Sequence, residues 1–142
     1  MAKKIVLISC TKKKLSQPEK AKNIYMPSAY FRKMRAFAEK FGDVWFILSA
    51  KHHLLNPEEI IEPYHNYLGS FNKVMLKKWA DIVISELSTH VDKGDEVTLI
   101  AGKKYVEYII IDLQHMDLKV KWPIEGMRIG EQMHWLDIQT SL

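Results

Sequence analysis

Apolar residues along the chain fall into two kinds of segment. Three are short and nearly continuous: Ile5-Val6-Leu7-Ile8, Val44-Trp45-Phe46-Ile47-Leu48 and Val97-Thr98-Leu99-Ile100-Ala101. Runs of this length predict strands buried on both faces, over residues 4–9, 44–48 and 97–101. The others recur at helical spacing. Tyr30, Met34, Phe37, Ala38 and Phe41 predict a helix that starts near Ser28, just after Pro27, and stops at Gly42. Leu76, Trp79, Ala80, Val83 and Leu87 predict a second helix from near Ser70, and Val106, Ile109, Ile110 and Leu113 a third. Leu118-Lys119-Val120-Lys121-Trp122 alternates, as an edge strand wet on one face does. A last helix carries Met133, Trp135 and Leu136, and Asn56-Pro57-Glu58-Glu59 has the cap, proline and acidic first turn of a short helix.

The order is β-α-β-α-β-α-β-α. It predicts an α/β fold of three layers: a mainly parallel sheet of four strands or slightly more, with helices on both faces and right-handed crossovers. No repeat or low-complexity linker divides the 142 residues, and glycine and proline are sparse, so one domain is expected. In a parallel sheet the strand carboxyl ends share one edge. Ser9, Cys10, Ser49, Lys51, His52, His53 and Gly102 are therefore expected to converge where open α/β sheets bind ligands.

Charge adds little by itself. Lys and Arg number 21 against 17 Asp and Glu, a net +4 that permits a polyanionic partner, nucleic acid included, without requiring one. A single cysteine excludes an internal disulfide and favours a cytoplasmic location. No apolar run reaches the roughly 20 residues of a membrane span, so no membrane partner is expected. Oligomeric state is left open.

Chemistry concentrates where the first two strands end. Ser9-Cys10-Thr11-Lys12-Lys13-Lys14 reads either as a phosphate clamp or as a solvated basic loop. Cys10 is a nucleophile whose thiolate the lysines would favour, or a small packed hydrophobe. Ser49 with Lys51 can hold phosphate, or the lysine can activate the serine. His52 and His53 have the side chain suited to acid–base work or to a carbonyl hydrogen bond. Ser28 caps the first helix or contacts an anion at its N-terminus, with Tyr25 beside it. Tyr64 and the carboxylate of Glu62 lie in an aromatic loop able to stack a base or simply to pack down. Metal spacing is missing: there is no Cys-x-x-Cys and no His-x-x-x-His. The P-loop, Gly-x-Gly-x-x-Gly and Gly-x-Ser-x-Gly fingerprints are missing too, and no cofactor is expected.

These segments, together with Ile24-Tyr25-Met26-Pro27-Ser28-x-x-Phe31, Leu48-Ser49-Ala50-Lys51-His52, Ile61-Glu62-Pro63-Tyr64 and Gly126-Met127-x-Ile129-Gly130, resemble a small bacterial and phage family, the DUF6884 type. The family usually has glycine where this chain has His53, a position where glycine takes positive φ freely. More distantly, the Ser-Cys…Lys…Tyr…Ser spacing is similar to a motif in a domain of archaeosine synthase, a tRNA-base-modifying enzyme, although the prolines of that motif are missing around Cys10 and Lys14. That resemblance implies a nucleotide or nucleobase ligand.

The expectation is a protein that binds a nucleotide or nucleobase, an enzyme acting on a nucleoside, nucleotide or nucleic-acid base, with N-glycosidic cleavage as one candidate reaction and the reaction itself left open. Lys12, Lys13, Lys14 and Lys51 would hold phosphate, and Ser9, Ser28 and Ser49 would give hydrogen bonds. Tyr25 and Tyr64 would pack base or ribose, Cys10 and Gly102 would line the crevice, and His52 or Glu62 would move a proton. The alternative is a sensor or nucleic-acid-binding module without turnover.

Overall fold

The computed structural model describes residues 2–141. Its centre is a five-stranded sheet built from β1 (Lys4–Ser9), β3 (Val44–Ser49), β4 (His53–Leu55), β6 (Glu96–Ile100) and β7 (Lys119–Lys121), in the order β4-β3-β1-β6-β7. β3, β1, β6 and β7 run parallel, and β4 turns back antiparallel to β3. β1 is central and buried on both sides, with Ile5 to Ile8 at most 1% exposed. Alternation sends Ile5 and Leu7 to one core and Val6 and Ile8 to the other.

Each face carries its own helices. α2 (Ala29–Phe41), the crossover from β1 to β3, shares a core with α6 (Ile129–Ser141) through Phe31, Phe37, Trp135 and Leu136. α3 (Lys73–Leu87) leads back across the sheet to β6 on the opposite face and packs with α4 (Lys103–Val106) and α5 (Ile110–Gln114) through Trp79, Val83, Val106 and Leu113. This is the expected three-layer α/β fold. The chain moves outward from β1 to β3, then crosses back to β6. Strand order therefore reverses beside β1, and in such sheets the ligand crevice lies outside the strand carboxyl ends at that switch point.

Local chemistry sets the boundaries. Ser28 caps α2 by accepting from the Phe31 N–H at 3.2 Å. α3 begins at Lys73 rather than near Ser70, because Leu68–Ser70 is a separate 3₁₀ turn and Asn72 supplies the cap, accepting from the Met75 N–H at 2.9 Å. The third predicted helix is two short ones, split where the Ile109 N–H bonds to the Val106 carbonyl at 3.0 Å in a tighter turn. The short helix expected at Asn56–Glu59 is not formed. The Asn56 side chain closes a turn on the Glu58 N–H at 2.9 Å, and the Pro57 and Glu59 carbonyls accept from Lys22 and Ala21 at the start of α1 (Ala21–Ile24). A two-stranded antiparallel ribbon, β2 (Glu19–Lys20) with β5 (Ile60–Ile61), ties the same loops together.

Candidate functional site

β1 delivers Ser9 and then the loop through Cys10, Thr11, Lys12, Lys13 and Lys14 to the carboxyl edge of the sheet. Across the switch point β6 delivers Gly102. A cleft of about 590 Å³ opens between them, lined by these residues, by Ser28, Ala29 and Tyr30 of the α2 start, and by Asn66, Tyr67, Tyr105, Ile129 and Gln132. The N-termini of two 13-residue helices, α2 and α6, border it. The positive ends of their dipoles favour an anion, although Ser28 Oγ already takes the Phe31 N–H at α2 and the Glu131 carboxylate occupies the first turn of α6, accepting the Arg128 N–H at 2.9 Å. Lys12, Lys13 and Lys14 make no ion pair with a carboxylate among the described residues. Lys12 lies over the Tyr67 ring at 4.1 Å from its centroid. Lys14 lies over Tyr64 at 4.3 Å and donates to the Lys12 carbonyl at 3.2 Å. Partial burial holds the Lys14 ammonium below its ordinary pKa.

Beneath this loop lies a buried hydroxyl network. The Tyr25 and Tyr64 hydroxyls bond to each other. Tyr64 also bonds to Ser49 Oγ at 2.8 Å, which accepts the His52 N–H at 2.9 Å and the Lys51 N–H at 3.3 Å. The Trp79 indole donates to the Ser49 carbonyl at 2.8 Å. Burial raises the pKa of Tyr25 and of Tyr64 well above the ordinary phenol value, so both stay protonated. Tyr105, raised in the same way by burial, bonds its hydroxyl to Cys10 Sγ at 3.3 Å. Two buried polar atoms find no partner among the described residues: Thr11 Oγ1 beside the cleft and His52 Nε2.

Seven of the residues singled out from the sequence, Ser9, Cys10, Lys12, Lys13, Lys14, Ser28 and Gly102, line the cleft. Tyr25, Ser49 and Tyr64 lie under it, 0–4% exposed, and support the loop rather than forming the cleft wall. The His52 ring stacks edge-on to Tyr64, 5.4 Å between centroids. Burial, followed by the Lys51 charge, lowers its pKa. Lys51 and Glu62 are exposed and do not line the cleft. His53 has φ 62°, so the chain keeps the left-handed turn here without a glycine. That turn sends β4 back along β3.

Residues 5–138 match a family of unknown function (DUF6884). The chain belongs to that family. It is also similar to the uncharacterized protein YfjM of Bacillus subtilis, 27% identical over 151 aligned positions that cover 95% of this chain and 93% of that protein. The family match spans every strand of the central sheet except the first residue of β1, and every residue that borders the cleft.

Sequence reasoning missed Thr11, Ala29, Tyr30, Asn66, Tyr67, Tyr105, Ile129 and Gln132 as cleft residues. For three of them a signal existed. In a parallel sheet, helices that follow strands begin at the carboxyl edge, so first-turn residues such as Tyr30 and Tyr105 face the ligand side. Tyr67 lies in the aromatic loop already noted. Gln132 gave none. It is fixed only in the fold, accepting from the Tyr30 hydroxyl and donating to the Met127 carbonyl at 3.0 Å. Among the described residues no group of acidic, His or Cys side chains is arranged to hold a metal ion, and no helix is long and apolar enough to cross a membrane.

Proposed function

We propose that this protein binds a nucleotide, with the phosphate in the switch-point cleft against Lys12, Lys13, Lys14 and the N-terminus of α2. The observation that carries this reading is the juxtaposition of three lysines lacking carboxylate partners among the described residues with the N-terminus of α2 on one cleft. Its volume of about 590 Å³ suits a small molecule of that size. Asn66, Tyr67 and Tyr105 add hydrogen-bonding and aromatic surface for the sugar. The reaction that suits such a ligand is cleavage of the N-glycosidic bond, with His52 or Glu62 handling a proton or water. Binding without turnover, as in a sensor, is the second reading, favoured because neither His52 nor Glu62 borders the cleft.

The test is a panel of nucleosides, nucleotides and oligonucleotides, followed by melting temperature and by product chromatography. Nucleotides should raise the melting temperature and the matching nucleosides should do so far less. Free base appearing with wild type and lost in Lys51→Ala and His52→Ala supports the enzyme. Stabilisation without product supports the sensor. Indifference to every phosphate-bearing compound would overturn the proposal.

A further inference from the structure

A second cavity, of about 520 Å³, adjoins the cleft and shares Gly102 and Gln132 with it. Its walls are apolar: Trp122, Ile124 and Met127 on one side, Ile110 and Ile111 of α5 on the other. The Trp122 indole is locked in place by donating to the Ala101 carbonyl at 3.0 Å. The rim carries Glu107 and Glu125, both exposed and in no ion pair among the described residues, against the single ammonium of Lys103. The two cavities thus have opposite character. One is cationic and the other is an apolar slot with carboxylates at its mouth.

The residue between them is glycine for no reason internal to the fold. Gly102 has φ −72° and ψ 167°, extended backbone that any residue adopts. A Cβ built there meets no atom within 4 Å. Gly102 lines both cavities, so a side chain there would intrude where they adjoin. Gln132, held at both ends of its amide, forms the fixed opposite post.

We infer that a ligand spans Gly102 and places its nucleobase in the apolar cavity, and that a base carrying an exocyclic amino group is preferred. This rests on the phosphate-binding reading of the cleft and adds the substrate class. Carboxylates accept hydrogen bonds, so Glu107 and Glu125 match the amino groups of adenine, cytosine or guanine. Uracil offers two carbonyl oxygens flanking its one N–H and leaves the carboxylates facing acceptors. The indole and the isoleucines supply the apolar and stacking surface that a planar ring requires.

Calorimetric titrations with inorganic pyrophosphate and with adenosine, cytidine, guanosine and uridine diphosphates separate the two parts. The amino-bearing nucleotides should bind roughly tenfold more tightly than uridine diphosphate. Gly102→Val blocks the connection, and Ile111→Arg, on a side chain 58% exposed and outside the core, fills the slot. Both variants should keep the wild-type melting temperature while losing the nucleotide excess, and Ile111→Arg, which lies outside the phosphate cleft, should also keep pyrophosphate affinity. The double variant Glu107→Gln/Glu125→Gln should bind all four nucleotides about equally. Intact pyrophosphate binding with four equal nucleotide affinities, or with nucleotide binding unchanged in both cavity variants, overturns the base pocket and leaves the phosphate site standing. If pyrophosphate and every nucleotide fail to bind, both readings fall.

Discussion

The two edges of one sheet use charge in opposite ways. At the amino edge, charges are matched. The Lys3 ammonium pairs with Asp92 at 2.8 Å and Asp95 at 2.9 Å, and Lys121 pairs with Glu96 at 3.0 Å. The Asp95 carboxylate also accepts the Lys3 and Asp92 N–H groups, each at 2.8 Å, and Asp43 accepts the Lys4 N–H at 2.8 Å. Together these bonds tie the start of β1 to the turns before β3 and β6, and tie β7 to β6. At the carboxyl edge Lys12, Lys13 and Lys14 meet aromatic faces, a carbonyl or solvent, with no ion pair among the described residues. A matched edge stabilises the fold. An unmatched one raises the energy of the free protein and leaves cations available to a ligand.

The largest break of that contrast is removal of the cations. Replacing Lys12, Lys13 and Lys14 together by alanine should weaken nucleotide binding roughly hundredfold in a titration, because charge-assisted bonds to phosphate are lost. Stability should not suffer. Lys14→Met alone should raise the melting temperature, since it removes an ammonium that partial burial disfavours. A fall in melting temperature would place the loop with the structural edge instead.

Asp95→Asn is the counterpart. The Lys3 and Asp92 N–H groups, followed by the Lys3 ammonium, hold the Asp95 carboxyl down at about 2. A group depressed in this way stabilises the folded state above its unfolded value of ~3.9, and that gain disappears as pH falls through 2. The substitution should lower the melting temperature by roughly 5–10 °C at neutral pH and leave nucleotide affinity unchanged. Binding lost in parallel would mean that the two edges are not independent.

A smaller effect is expected from Tyr64→Phe, which couples the two kinds of chemistry. Removing one hydroxyl leaves Tyr25 and Ser49 each short of a buried partner, at a cost of about 1–3 kcal/mol in denaturant unfolding. The Phe ring still lies under Lys14, so affinity should change less than about threefold. A large affinity loss at small stability cost would instead make the phenol a ligand contact.

The layers and the cleft were legible in the sequence for one physical reason. A strand buried on both faces must be continuously apolar, and its first polar residues must then sit at a sheet edge. Ile5–Ile8 followed by Ser9, and Val97–Ala101 followed by Gly102, satisfy that rule, and both ends border the cleft. Periodicity does not encode which of two carboxyl-edge residues faces outward. Ser49 therefore looked equivalent to Ser9, yet it is sealed beneath Tyr64, and the turn at His53 folds β4 over the end of β3. Asn56-Pro57-Glu58 reads equally as a helix start or as a side-chain-closed turn, and only the distant α1 donors decide between them.

The finest probe of the contrast is pH, through His52. Burial, then Lys51, lowers its pKa in the folded protein, with a weaker opposing influence from Glu59. In the unfolded chain the imidazole titrates near 6.5. As pH falls below ~6.5, the unfolded chain takes up the proton first, so stability decreases, and it continues to decrease until the folded imidazole is protonated as well. Protonation would also place a second cation beside Lys51, with Nε2 buried and unpartnered among the described residues. Urea unfolding of wild type and His52→Gln at pH 7.5 and 5.5 isolates this contribution from the other histidines. Wild type should lose more stability between the two pH values than His52→Gln does. Equal losses would show that the ring does not sense the interior, and the hydroxyl network at the carboxyl edge would then be uncoupled from proton concentration near neutrality.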